Sequence, residues 1–299
     1  MPKESFEQFV KRQKEKLEKA EKMVEGVKEE WKEKIEEFEM VEKSVKELKR
    51  LWEKNEGEAR KKEKLSETFS FFLSLPLPKI PPFLLEKVSN NFLKEFDWEK
   101  FEGREDLDED LGFFLSAFLN KNIENYVSSH KKKGIKEENI KPIEVYLKVK
   151  ELPVRLNNLG YQNPKKLHLV IEGNLGGGTG MEMKGGKIIV EGNCRHNTGN
   201  SMRDGEIIVK GDCGPATGQW MRGGKIIVEG DCGEGTTEGM DGGELDIKGD
   251  VKSFAESTFF SCNKGTIIWK GIKIWENGKW TKRGRGYWEG GAIPIAKGV

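Results

Sequence analysis

Apolar residues near the start of the chain fall at positions 6, 10, 17, 20, 24, 27, 31, 35, 38, 41, 45, 48 and 52. The steps alternate between three and four for more than six heptads, with Gln13 at one seam position and a small register shift near Ile35. Nearly all the intervening positions are Lys or Glu. This pattern predicts one long helix from Phe6 to Trp52 with a narrow coiled-coil seam. At 1.5 Å per residue it spans roughly 70 Å. A seam that narrow needs a second strand. One reading is a homodimer joined through Leu17, Val24, Trp31, Phe38, Val45 and Trp52. The other is an antiparallel hairpin within the chain, broken near Gly26 or folded back near Gly57. The homodimer is the reading adopted.

Further helices are expected over Ala59–Leu75, Phe83–Phe101 and Leu111–Tyr126, the last preceded by acidic residues from Asp106 to Asp110 that favour a helix start. Pro76, Pro78, Pro81 and Pro82 separate the first two. Together these form a small helical bundle. Ile143 to Val149 alternates in polarity and predicts a strand lying as a lid on whatever follows.

From Leu169 to Gly271 the pattern changes to a repeat. Gly173-Asn174, Gly192-Asn193, Gly211-Asp212, Gly230-Asp231 and Gly249-Asp250 recur every 19 residues, each after an apolar strand. Met183, Met202, Met221 and Met240 keep the same interval, as do Gly186, Gly205, Gly224 and Gly243. One strand and a glycine-rich return per period leave no room for a helix. The repeat therefore predicts a parallel β-helix with one 19-residue coil per period, right-handed as parallel crossovers are. Asn277-Gly278 between apolar runs predicts a hairpin over Ile272–Trp280 that closes the far end.

Coils stacked about 4.8 Å apart turn each repeated position into a column. The columns through Ile188 and Val190 are the expected interior. The column between them, Val170, Ile189, Ile208 and Ile227, points outward. Either the chain's own helices cover it, or it is a partner or dimer interface.

The repeat G-[ND]-x-G…G…M-x-G-G-x-I-I-V-x-G is carried best by Gly211-Asp212, Gly214, Gly218, Met221, Gly223-Gly224 and Ile226-Ile227-Val228. It resembles the C-type subunit of formylmethanofuran dehydrogenase and the C-terminal domain of the glutamate synthase large subunit, over roughly 105 of 299 residues. The resemblance implies a right-handed β-helix and a structural companion to catalytic parts elsewhere, and it transfers no catalytic residue. Thr237 departs from the pattern by replacing the mid-repeat glycine, and the fifth coil is irregular.

Cys194, Cys213 and Cys232 share one column. They admit three readings: a metal or iron–sulfur site, a disulfide between neighbours, or small apolar side chains filling a corner. The third is preferred, because a linear ladder converges poorly on a metal. His196 stands beside Cys194 alone. The Asn/Asp column is read as corner hydrogen bonding rather than a calcium site. Gly176 to Gly180 lacks the context of a phosphate loop. No catalytic constellation, cofactor or small-molecule site is expected.

Net charge is +1 with 34% charged residues, mostly Lys and Glu, a balance typical of thermophiles. No apolar run reaches membrane-spanning length and MPKESFEQF has no signal-peptide core, so a cytoplasmic protein is expected. Two basic spots, Lys131-Lys132-Lys133 and Arg283/Arg285 with Tyr287 and Trp288, suit contact with RNA or a ribosome.

The chain thus reads as an α+β multidomain protein. A coiled-coil helix (1–58), a helical bundle (59–142), a capping strand and linker (143–166), a right-handed β-helix (167–271) and a hairpin cap with a basic, glycine-rich tail (272–299) follow in order. The expected role is a non-enzymatic homodimeric scaffold that bridges partners. A ribosome- or RNA-associated dimerising factor of hibernation type, and an accessory subunit of a redox complex, are the alternatives.

Overall fold

The computed structural model describes residues 6–101, 107–262, 264–289, 291 and 293–296. Helix α1 (Phe6–Ala59) runs unbroken for 54 residues, through Gly26 and past Gly57. The chain separates into two compact units, one ending at Ser44 and one beginning at Val45. The first unit is helical from Phe6 onward.

The end of α1 packs with α2 (Leu65–Ser74), α3 (Leu85–Lys94) and α4 (Leu107–Lys132). Trp52 sits at the centre of this core, with its ring 5.9 Å from Phe72, 5.5 Å from Phe114 and 5.9 Å from Phe96. The proline-rich link between α2 and α3 is pinned by Asn122 of α4. Its Oδ1 accepts the Ile80 N–H at 3.0 Å and its Nδ2 donates to the Pro78 carbonyl at 3.1 Å.

The rest is a parallel β-solenoid of about five turns. Strands β1 (Ile143–Lys148), β2 (Leu167–Glu172), β3 (Lys184–Val190), β4 (Asp204–Val209), β5 (Arg222–Val228) and β6 (Gly242–Ile247) pair in parallel and in order. After β7 (Phe254–Ala255) and the short helix α5 (Thr258–Ser261), β8 (Lys264–Trp269) continues the sheet in parallel beside β6. Register places Ile188 on Ile207, Ile226 and Leu245, one coil apart, and all are buried.

The return half of each coil is built on left-handed backbone. Positive φ recurs at Asn158, Gly160 and Gln162; at Gly178, Gly180 and Glu182; at Asn197, Gly199 and Ser201; at Ala216, Gly218 and Trp220; and at Gly235, Thr237 and Gly239. Alternating handedness keeps the chain flat. It aims N–H groups at neighbouring coils, as in Asn197 to Pro215 (2.9 Å) and Ser201 to Gln219 (2.8 Å). The triplet at 158–162 shows that residues 143–166 form the first coil itself, rather than a lid and linker outside the repeat.

The lid is instead α4. Gly112, Ser116 and Asn120 lie four residues apart on one helix face. A Cβ at Gly112 would collide with the Asn157 carbonyl, so only glycine lets this loop reach the helix. Ser116 Oγ accepts the Gly160 N–H at 3.0 Å, and Asn120 Nδ2 donates to the Tyr161 carbonyl at 3.0 Å. Helix α3 closes the free edge of β1 through one side chain. Asn90 accepts the Lys148 N–H at 2.8 Å and donates to the Tyr146 carbonyl at 2.7 Å, mimicking a neighbouring strand.

The far end carries the expected hairpin. Strand β9 (Ile272–Glu276) pairs antiparallel with β8 and with β10 (Lys279–Trp280), turning on Asn277 and Gly278 at positive φ. Phe259 stacks on Trp280 at 4.4 Å, and Trp275 meets Trp280 edge-on at 5.3 Å. The basic, glycine-rich tail contains a helix, α6 (Lys282–Glu289). Thr281 Oγ1 caps it by accepting the Gly284 N–H at 3.0 Å. Strand β11 (Ile295–Ala296) then returns to pair with β7.

Candidate functional site

Three repeated side-chain ladders dominate the solenoid, and each satisfies a structural demand. The Asn/Asp column links coil to coil at the corners. Asn174 Oδ1 accepts the Asn193 N–H at 2.8 Å, Asn193 Oδ1 the Asp212 N–H at 2.8 Å, Asp212 Oδ1 the Asp231 N–H at 2.8 Å, and Asp231 Oδ1 the Asp250 N–H at 2.6 Å. Each side chain thus serves the backbone of its own equivalent one coil on.

Cys194, Cys213 and Cys232 are free, buried and bridged backbone to backbone, with Val251 below Cys232. The hydrogen bond to Cys213, then burial, push the Cys194 thiol well up. For Cys213 the hydrogen bond with Cys194 acts downward, but that with Cys232 and burial raise the thiol well above its ordinary value. These thiols stand among buried threonines, Thr179, Thr198, Thr217 and Thr236, a column that the sequence reading missed although it repeats every 19 residues. His196 does not join them: it is exposed, its ring lying over Gly177. Among the described residues, no group of three or more His, Cys, Asp or Glu is placed to hold a metal ion.

The outward strand face carries the apolar stripe. Val170 is buried, while Ile189, Ile208 and Ile227 are half-buried. Charged columns flank them. Lys187–Glu206 and Lys225–Glu244 pair at 2.7 Å on one side, and Lys210–Glu229 at 2.6 Å on the other. Asp246 interrupts the stripe before Ile268; it is buried, bonded to Lys248, and its Oδ1 has no hydrogen-bond partner.

On α1, Met23 is 74% exposed, Phe38 68% and Ile35 54%. The side chains of Leu17, Val24 and Trp31 lie outside the described residues. Val45, Leu48 and Trp52 are buried in the chain's own helical core, so the last three seam positions are not open to a partner.

Lys131, Lys132 and Lys133 are exposed at the end of α4. The fold brings Lys165 and Lys166 to the same place. With Lys131, Ile123, Val127 and Glu137 they line a cleft of about 250 Å³. The hydrogen bond from Lys131 holds the Glu137 carboxyl below its usual value, with Lys165 and Lys166 adding to the effect. Sequence separation hid this cluster. Arg283 and Arg285 are placed on α6, and the side chains of Tyr287 and Trp288 lie outside the described residues.

A scan against protein-family models finds no match, and a search of curated proteins finds none either. Among the described residues no helix is long and apolar enough to cross a membrane.

Proposed function

We propose that this protein is a non-enzymatic, homodimerising scaffold that works in the cytoplasm and bridges partners. Its α1 arm pairs with a second copy as a coiled coil, and its right-handed solenoid presents a rigid surface. The observation that carries the reading is the exposure of two apolar seam residues on α1, Ile35 and Phe38, on a helix otherwise rich in Lys and Glu. An apolar seam on a solvated helix is what a partner strand covers. The repeated polar and thiol side chains support the non-enzymatic half, since they serve packing and backbone hydrogen bonds. Free, buried thiols fit a reducing compartment. The resemblance to accessory domains of formylmethanofuran dehydrogenase and glutamate synthase agrees with a supporting role.

The test is light scattering after size exclusion on the full chain, beside a variant carrying Ile35→Glu and Phe38→Glu. We expect the parent to be dimeric and the variant to dissociate more readily, by at least about tenfold, for two buried charges per strand. An unchanged mass profile would remove the coiled coil.

A second reading is favoured by the five lysines gathered near the cleft, Lys131, Lys132, Lys133, Lys165 and Lys166. Such a cluster suits the phosphate backbone of RNA, and a dimer so equipped would join two ribosomal particles. Salt-labile co-purification of ribosomal RNA, lost when Lys131, Lys165 and Lys166 become Glu, would support it. Absence of nucleic acid at low salt would remove it.

A further inference from the structure

The outer face of the solenoid sheet bears three columns in register. The first runs His168, Lys187, Glu206, Lys225, Glu244, Thr266 along β2, β3, β4, β5, β6 and β8. The second is the apolar stripe, Val170, Ile189, Ile208, Ile227, Asp246, Ile268. The third lies at the strand ends: Glu172, Glu191, Lys210, Glu229, Lys248, Lys270. Its signs run minus, minus, plus, minus, plus, plus.

These signs invert about the midpoint between β4 and β5. In the third column Lys210 mirrors Glu229, Glu191 mirrors Lys248 and Glu172 mirrors Lys270. In the first, Glu206 mirrors Lys225 and Lys187 mirrors Glu244. One midpoint serves both columns. A rotation of 180° about an axis along the strands reverses coil order and keeps each column opposite itself. Two copies related by that rotation therefore set every charge of these five pairs against its opposite, with Ile208 of one copy against Ile227 of the other. Moving the axis onto β4 sets Glu206 against Glu206 and Lys210 against Lys210. Moving it onto β5 sets Lys225 against Lys225 and Glu229 against Glu229. The pattern thus selects one register and opposes its neighbours.

We propose that this face is a homodimer interface, in which two solenoids stack sheet to sheet about a two-fold axis lying along the strands between β4 and β5. The occupant is a second copy of this chain, because no other partner is required to carry the inverted charge sequence. Six strands about 4.8 Å apart, each presenting about 17 Å of length, give on the order of 500 Å² per copy. About 1,000 Å² in total is the lower end of specific interfaces, so the contact alone is weak, with a micromolar dissociation constant. The inference extends the scaffold reading to the solenoid and does not depend on the α1 seam.

The experiment uses the full chain carrying Ile35→Glu and Phe38→Glu, so that association through α1 and through the sheet are read apart. Sedimentation velocity across a concentration series gives the dissociation constant. In that background Lys210→Glu sets a carboxylate against Glu229 of the second copy, and Glu229→Lys sets an ammonium against Lys210 in the same way. Each variant alone is expected to associate about tenfold or more weakly than its background. An equimolar mixture of the two restores opposite charges across the interface and should recover much of the background affinity. Damage confined to one chain's own fold cannot be repaired by mixing, and thermal melts check that both variants fold. Ile208→Glu, at the centre, should abolish association. The proposal is overturned if the seam-substituted chain stays monomeric at all concentrations, if the single charge variants associate as tightly as their background, or if the mixture gains nothing. If the seam substitutions leave association unchanged while the sheet variants abolish it, the coiled-coil reading fails and this one stands.

Discussion

At the scale of single residues the repeat is an interlock between Met and Gly. Met183, Met202, Met221 and Met240 are buried, and each reaches the glycine that opens a strand one coil on. At Gly224 the backbone has φ +80°, and a Cβ would come 2.6 Å from the Met202 methyl and 2.8 Å from the Gly205 carbonyl. Both the conformation and the space forbid a side chain there. Gly224→Ala should therefore lower stability by about 2–4 kcal/mol, adding the left-handed cost to that of overpacking. Chemical denaturation measures it. The paired change Gly224→Ala with Met202→Ala should recover the overpacking part only, leaving a cavity cost in its place. A single substitution within about 0.5 kcal/mol of the parent would show that the interlock is not what holds the coils in register.

Elements show which devices a periodic reading can find. The Asn/Asp column was legible because it recurs at a fixed interval, and the structure gives it the corner role expected from chemistry. Asp212→Ala leaves the Asp231 N–H without its acceptor and should cost about 1–2 kcal/mol. Asp212→Asn keeps the accepting oxygen and removes one of the stacked like charges, so it should match or exceed the parent. A calcium site would give the reverse, with Asp212→Asn losing ion-dependent stability. Thermal melts with and without chelator separate the two. Strands and hairpin were equally readable, since both follow from short-range patterns. The first coil was not. Its return, with Asn158, Tyr161 and Gln162, lacks the Gly-Asn corner of the later coils, and Gln162 sits 20 rather than 19 residues before Glu182. Helix α6 escaped because Gly284 and Gly286 weaken local helix propensity, and the contact of Gly284 with Ile274 decides the matter at long range. Lys165 and Lys166 escaped for the same reason, as they join Lys131, already singled out as a basic spot, only in the fold.

At the scale of the second unit, the solenoid is a stack in which each coil is stabilised mainly by its neighbours. Its two ends would expose unpaired backbone, and each is closed differently. Polar caps from α3 and α4 close the first coil, and an aromatic hairpin closes the last. The first cap depends on direct hydrogen bonds to left-handed backbone, with Gly112 allowing the approach. A larger residue there should separate α4 from the 156–162 loop without touching any solenoid contact. Hydrogen exchange followed along the chain then tests how stability is distributed. In the parent, amides of β3 to β5 should be slowest, since both flanking coils are present. Gly112→Val should speed exchange first at Asn158, Gly160 and Gln162, then at β1 and β2, with β5 and β6 affected least. Trp275→Ala should produce the opposite gradient, starting from β8 and β9. Uniform acceleration through all coils in either variant would mean that the second unit opens as one cooperative body, and that the caps act on global stability rather than on the ends they cover.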